Sequence, residues 1–221
     1  MPRSTSPFPL PLLILLLNVS CSGPSYKPLS LKFSDCGAHL QRGVELQKKG
    51  ADATLLAKRP DANPDLQKAG RDLALNMHGK AIVEFTHVIN FAQKIQMNWV
   101  FRFRTLQIAH LSRGRCYFDI ASFSKAQADW DKAIEDFTQS IQMDPGHHEA
   151  YFWRGFACLS NLNRQPGEVE KPLNDLNKAI VLAPIPNPYY FWLRATIHLE
   201  AGQKALAEAD KKKFKELRKG K

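Results

Sequence analysis

One six-residue phrase returns along this chain. It reads Ala38-His39-Leu40-Gln41-Arg42-Gly43, then Ala109-His110-Leu111-Ser112-Arg113-Gly114, then Ala150-Tyr151-Phe152-Trp153-Arg154-Gly155, with a weaker copy at Tyr190-Phe191-Trp192-Leu193-Arg194-Ala195. The arginines stand 71, 41 and 40 residues apart. Repeats of that size are the mark of stacked helical hairpins, in which each unit buries its apolar face on the next. Such an array has no enclosed catalytic core. What it offers is a curved surface.

The segments after the phrase read as second helices. Asp131 to Pro145 carries apolar residues at Ile134, Phe137 and Ile141, and Glu170 to Pro184 carries them at Leu173, Leu176 and Ile180. Steps of three and four residues are those of one helix face. Pro145 and Pro184 then stop the helices, because proline cannot continue one. Each unit is therefore helix A, turn, helix B, stop. The expected fold is all-α, a solenoid of about four such units.

In these residues the chain resembles the tetratricopeptide repeat family, whose unit is a helix–turn–helix of 34 residues. Tyr151 and Phe191 match its large aromatic early in helix A, and Gly114 and Gly155 its small residue, with Ala195 in that slot in the last copy. Tyr117 matches the later aromatic of helix A. Ala133 and Ala207 match the small residue opening helix B, Phe137 its aromatic, and Pro145 and Pro184 its closing proline. The third repeat departs from the pattern, with Pro172 for the alanine and Leu176 for the aromatic.

Two further departures are insertions. Gly114 to Ala133 is 19 residues and Gly155 to Pro172 is 17, against about 12 in the family unit. The first insertion, around Ser122 to Ala128, adds about two turns and extends a helix without changing its buried face. The second, around Arg164 to Val169, contains Gln165-Pro166-Gly167-Glu168 and reads as a loop. In the first repeat, Lys58 to Pro64 breaks any helix, and Asp65 to Met97 reads as one long helix or two. Two registers compete for its helix B. Gly79 to Phe85 copies the Asp131 segment, and Asn90 to Asn98 copies Asp136 to Asp144. The closer apolar match makes Asn90 to Asn98 the expected one.

The front of the chain has a different character. Arg3 is followed by an apolar run from Pro7 to Leu17 and then by Asn18-Val19-Ser20-Cys21-Ser22-Gly23, the layout of a secretory signal. The run is far short of the roughly 20 residues that cross a bilayer. Its closing cysteine resembles a bacterial lipoprotein signal, which implies cleavage before Cys21 and acylation of that residue. Ser20 fits this pattern and Asn18 does not. Ordinary secretion, with Cys21 incidental, is the other reading. The expected division is a signal over 1–20, a flexible tether over 21–34 and the repeat domain over 35–221, giving an exported, envelope-anchored lipoprotein or else a soluble secreted or periplasmic protein. If Cys21 is acylated, Cys36, Cys116 and Cys158 remain, and three cysteines make no disulfide framework.

The net charge of +10 is unevenly placed, with +6 in the last eleven residues. Lys211, Lys212, Lys213, Lys215, Arg218 and Lys219 form a basic surface. It reads as the solvated cap that a terminal repeat needs, or as a foot for anionic lipid or nucleic acid. An exported protein makes nucleic acid the weaker partner of the two. A second basic stretch, Trp99-Val100-Phe101-Arg102-Phe103-Arg104, reads as a linker whose aromatics fill the gap between repeats while its arginines face water.

The sequence holds no phosphate-cradling glycine loop, paired-cysteine zinc pattern or nucleophile elbow. His147-His148 has no third ligand at recognisable spacing, His39 and His110 share the packing slot of the phrase, and the acidic residues read as solvated. No catalytic residue, metal or cofactor is expected. The expectation is a protein or peptide partner rather than an enzymatic substrate. In the family that this chain resembles, helix A lines the inner face, which implies Leu111, Arg115 and Asp119, then Phe152, Phe156 and Leu159, then Trp192 and Thr196. Phe152, Phe156 and Trp192 make an apolar strip that either receives a partner or packs on a neighbouring helix such as the Asp65–Met97 segment. Where some family members clamp a terminal carboxylate with Lys and Asn, Phe152 and Phe156 stand instead.

Overall fold

The computed structural model describes residues 29–94, 98–161, 165 and 168–219, with side chains from residue 35 onward. The signal, the first part of the expected tether and Cys21 lie outside the described residues, as do residues 164, 166 and 167 of the Arg164–Val169 insertion. Eight helices and no strand are present among the described residues: α1 Leu29–Ala57, α2 Pro64–Lys94, α3 Trp99–Ser124, α4 Gln127–Met143, α5 His148–Ser160, α6 Glu170–Leu182, α7 Pro188–Glu200 and α8 Lys204–Lys219. Helix α1 begins inside the stretch expected to be a tether through residue 34.

Local chemistry sets the boundaries. The Asn63 side chain accepts from the Leu66 N–H just before Pro64 opens α2. Asn98 caps α3 by accepting from the Val100 N–H, and Asn187 caps α7 through the Tyr189 N–H with Pro188 in the first turn. These side chains satisfy amide donors that a helix start leaves unpaired. Helix α3 closes on Lys125 in the left-handed conformation, its N–H returning to the Ala121 carbonyl.

Consecutive helices pair antiparallel as hairpins: α1 with α2, α3 with α4, α5 with α6, α7 with α8. Successive hairpins stack, and helix A of each touches helix A of the next, whereas the B helices do not touch one another. An array closer on one side than on the other curves, so the A helices lie on its inner side. The core follows the array as linked patches. Leu40, Phe85, Ile89 and Leu106 join α1, α2 and α3; Phe118, Trp130 and Phe137 join α3 and α4; Leu176, Tyr190 and Ile197 join α6 and α7. Each patch serves only its neighbours, as in other repeat folds. The chain is an all-α solenoid of four tetratricopeptide-like hairpins.

The first hairpin corrects the expected register. A Cβ added to Gly43 would stand 2.7 Å from the Phe85 ring, as one on Gly114 would stand 2.8 Å from Phe137 and one on Gly155 2.6 Å from Leu176. Phe85 is therefore the counterpart of Phe137, and helix B of the first repeat is centred on Gly79–Phe85 rather than on Asn90–Asn98. The extra residues lengthen both helices. Helices α1 and α2 have 29 and 31 residues, against 13 in α5, α6 and α7. At ~1.5 Å per residue the first hairpin is more than twice as long as the third. The extension of α3 to Ser124 meets it there. Lys58 Nζ donates to Ser122 Oγ at 3.0 Å, and Lys58 and Arg71 lie over the Phe123 ring.

Candidate partner-binding face and the bridges behind it

The arginine of the recurring phrase has one geometry in the second, third and fourth hairpins. Arg113 Nε and Nη2 each donate at 2.8 Å to the two carboxylate oxygens of Asp136 on its own helix B. Its Nη1 donates at 3.0 Å to Thr86 on helix B of the preceding hairpin. Arg154 repeats this with Asp175 at 2.8 and 2.6 Å and with Thr138 at 3.4 Å. Arg194 repeats it with Asp210 at 2.8 and 2.7 Å and with Asn177 at 2.8 Å. Arg42 makes the first-hairpin version, Nε to Glu84 at 3.2 Å. A guanidinium fork matches a carboxylate in this bidentate manner, and its remaining donor is free to reach a third helix.

These acids differ from the solvated pattern expected of them. The Asp136, Asp175 and Asp210 residues are buried. Each stands three residues after the small residue opening helix B, at Ala81/Glu84, Ala133/Asp136, Pro172/Asp175 and Ala207/Asp210. That spacing is the signal by which they can be found. The phrase histidines are likewise hydrogen-bonded and not merely packed, with His39 Nδ1 at 2.6 Å from Glu84 and His110 Nδ1 at 2.8 Å from Asp136.

Beside these bridges runs a row of aromatic rings that passes from the core residues Phe118 and Tyr190 to the exposed Trp192. Phe118 of α3 meets Phe156 of α5 at 4.9 Å between centroids, Phe152 stacks on Tyr190 of α7 at 4.8 Å, and Phe156 meets Trp192 edge-on at 6.5 Å. Phe152 and Phe156 are half-buried, while Trp192 is 44% exposed and Thr196 is exposed. Arg115 lies at 4.9 Å over the Trp153 ring beside the row. Leu159 is half-buried against the last core patch. The long helix α2 does not cover the strip, since it packs on α1 and α3 alone.

Two residues expected on this face lie elsewhere. Leu111 is buried in the core of the second hairpin. Asp119 turns towards the first hairpin, its carboxylate 3.4 Å from His78 Nε2. The same ring nitrogen is 3.3 Å from Thr54 Oγ1, and the ring lies against Gly50. Burial holds His78 down to about 4 and pushes Asp119 up to about 6; it also lowers Lys58. This cluster fastens α1, α2 and α3 where all three are extended.

The remaining polar candidates are buried or paired: His147 stacks on His148 at 6.0 Å between centroids, and its buried Nδ1 has no hydrogen-bond partner among the described residues. His148 Nδ1 lies 2.7 Å from the Tyr190 hydroxyl. Cys36 and Cys116 are buried thiols, that of Cys36 pushed up to about 11 and that of Cys116 higher, both by burial, which makes them poor nucleophiles. A cavity of about 840 Å³ between α4, α5 and α6 is lined by Arg154 and Asp175, which are paired with each other, and by Glu168, Glu170 and Lys171. No group of three His, Cys, Asp or Glu side chains is placed to hold a metal among the described residues. On α8, Lys211 pairs with Glu208 and Lys213 with Glu216, while Lys212, Lys215, Arg218 and Lys219 are exposed.

No protein-family model matches this sequence, and no curated protein matches it either. Among solved structures the chain is similar to MamA. One crystal structure of MamA is 16% identical, covering 70% of this chain and 92% of that chain at a TM-score of 0.41. The fragment from residue 41 onward of MamA from Desulfovibrio magneticus RS-1 is 15% identical, covering 78% and 97% at 0.44.

Trp99 contradicts the reading of its stretch as gap-filling. It is 71% exposed and Phe103 is 42% exposed, while the burial of α3 begins at Thr105 and Leu106. The first turn and a half of α3 therefore projects its aromatics beyond the core.

Proposed function

We propose that this protein is a non-enzymatic adaptor that holds a protein or peptide partner on its helix-A face, exported and tethered through Cys21. The observation that carries the reading is the aromatic row. It crosses three hairpins on the inner side of the array and leaves Trp192 and Thr196 open at its end. Exposed tryptophan beside packed aromatics is the composition of binding hot spots. The arginine bridges hold the A helices in register beside it, so the face is preformed and a partner loses little free energy in ordering it.

Trp192→Ala is the clean test, because this ring contributes little to the core, whereas Phe152 is stacked on Tyr190. A partner cross-linked at Thr196 in the native host should be lost in Trp192→Ala and kept in Val181→Ala, an exposed apolar site on helix α6. Capture that ignores Trp192 and depends on Val181 would place the partner on the other side of the array. The tether is tested separately by intact mass. Acyl mass on a chain beginning at Cys21, absent in Cys21→Ser, supports it, and an unprocessed cytosolic chain removes it.

A further inference from the structure

The four hairpins stack in one orientation, as the repeated arginine bridge requires. All A helices therefore start, and all B helices end, on one edge of the array. The A–B turns lie on the opposite edge. The two edges differ in chemistry. The junction edge exposes Trp99, Val100 and Phe103 at the start of α3, and Ile185 and Tyr189 between α6 and α7. Arg102 and Arg104 interleave with the α3 aromatics, and no ion pair engages either among the described residues. Lys94 at the end of α2 and Lys215, Arg218 and Lys219 at the end of α8 add to them, with the Arg218 guanidinium stacked at 5.4 Å on Phe214. Cations outnumber the acids of this edge, Asp35, Asp144 and Glu149, and Glu216 is paired with Lys213. The turn edge exposes Leu55, Leu66 and Leu206 as well, but no exposed tryptophan or tyrosine among the described residues, and its charge is mixed, Asp61, Asp65, Glu170 and Glu200 standing among Lys58, Arg59, Lys125, Lys171 and Lys204.

Tryptophan and tyrosine with interleaved arginine and lysine suit the headgroup zone of an anionic bilayer. The rings settle at the apolar boundary and the cations meet the negative surface. From the exposure, the charge and the common edge, we infer that the junction edge is a lipid-docking surface for an anionic membrane. The point of chain entry agrees. Helix α1 starts on this edge, and Cys21 precedes Leu29 by eight residues, which span at most about 29 Å. An anchor at Cys21 would keep this edge turned to the bilayer and the aromatic row of the A helices open sideways. The inference deepens the tether reading but does not depend on acylation.

The test is tryptophan quenching by brominated phosphatidylcholine in vesicles with and without phosphatidylglycerol, measured on the full chain. Quenching should be lost in Trp99→Phe and kept in Trp192→Phe. The double variant Arg102→Gln/Arg104→Gln should lower the quenched fraction on vesicles containing phosphatidylglycerol and leave pure phosphatidylcholine unaffected. Quenching that survives Trp99→Phe, or no quenching on any vesicle, overturns the inference. Loss in Trp192→Phe instead would set the helix-A face on lipid and remove the partner reading too. Loss of partner capture in Trp192→Ala with Trp99 still quenched supports both.

Discussion

Replacing Arg113 by methionine should expose how much each bridge contributes. The substitution keeps much of the side chain's apolar length and deletes three donors, two to Asp136 and one to Thr86. The Asp136 side chain is only 3% exposed, so its carboxylate is left with His110 alone. Breaking a buried pair by removing one partner costs about 3–5 kcal/mol. The remaining imidazole contact and the partial exposure of Arg113 set the expected loss at the lower end, about 3 kcal/mol. Arg42→Met is the internal control. Arg42 is 49% exposed and reaches no second helix B among the described residues, so its pair should contribute about 0–1 kcal/mol. Urea unfolding followed by far-ultraviolet circular dichroism measures both. Adding Asp136→Leu to Arg113→Met should recover most of the loss, because no unpaired charge then stays buried. Equal effects at Arg42 and Arg113, or no recovery in the double variant, would refute the argument that burial gives the bridge its weight.

Two glycines of the first hairpin should respond oppositely to alanine. A Cβ at Gly50 would meet the His78 ring at 2.7 Å, and the overpacking should destabilise by about 1–3 kcal/mol. A Cβ at helical Gly79 would meet nothing, so Gly79→Ala should stabilise by about 0.5–1 kcal/mol; urea midpoints of the same sign at both sites would contradict the placement of His78. The buried His78–Asp119 pair sets a pH signature. His78, depressed from 6.5 to about 4, stabilises above pH 6.5 and loses that contribution as pH falls through 4; Asp119, raised from 3.8 to about 6, stabilises below 3.8 and loses that contribution as pH rises through 6. Between about pH 4 and 6 these slopes oppose each other. Asp119→Asn removes one of them, so the variant should lose stability relative to the parent as pH falls from 6 to 4, and parallel pH profiles of the unfolding midpoint would show that the two groups do not titrate as the geometry implies.

The hairpins were legible because their signals are local. A phrase, an apolar stripe and a closing proline all fall within 40 or so residues, and the extension of α3 followed from a helix's indifference to whole added turns. The register of the first hairpin was not legible from apolar spacing. Phe91 and Ile95 have the same separation as Phe137 and Ile141, and periodicity cannot tell which turn of a 31-residue helix meets Gly43. The deciding mark was polar. Glu84 precedes Phe85 as Asp136 precedes Phe137, whereas Asn90 before Phe91 offers Arg42 no carboxylate. On the candidate face, Phe152 and Phe156 are ring neighbours, because side chains one turn apart share a face, and Phe156 meets Trp192 of the next helix A. Leu111 and Asp119 lie off this row. Leu111 turns into the core of its own hairpin, and the environment of Asp119 is set by the lengthened first hairpin, since no spacing within α3 reports on a neighbour 40 residues earlier.

A bridge whose acid lies within its own hairpin makes each hairpin electrically self-sufficient. A copied or deleted hairpin would carry its buried carboxylate and its guanidinium together, and the spare donor would find a threonine or asparagine on whichever helix B then preceded it. Removing the third hairpin, for example, would bring Arg194 to Thr138 in place of Asn177. Such a unit can be duplicated by a single genetic event without passing through an unstable intermediate. Growth beyond α8 is different, because the acceptor position there is Lys212. A hairpin appended after α8 would set its arginine against that lysine, and the array could lengthen on that side only after Lys212 itself had mutated.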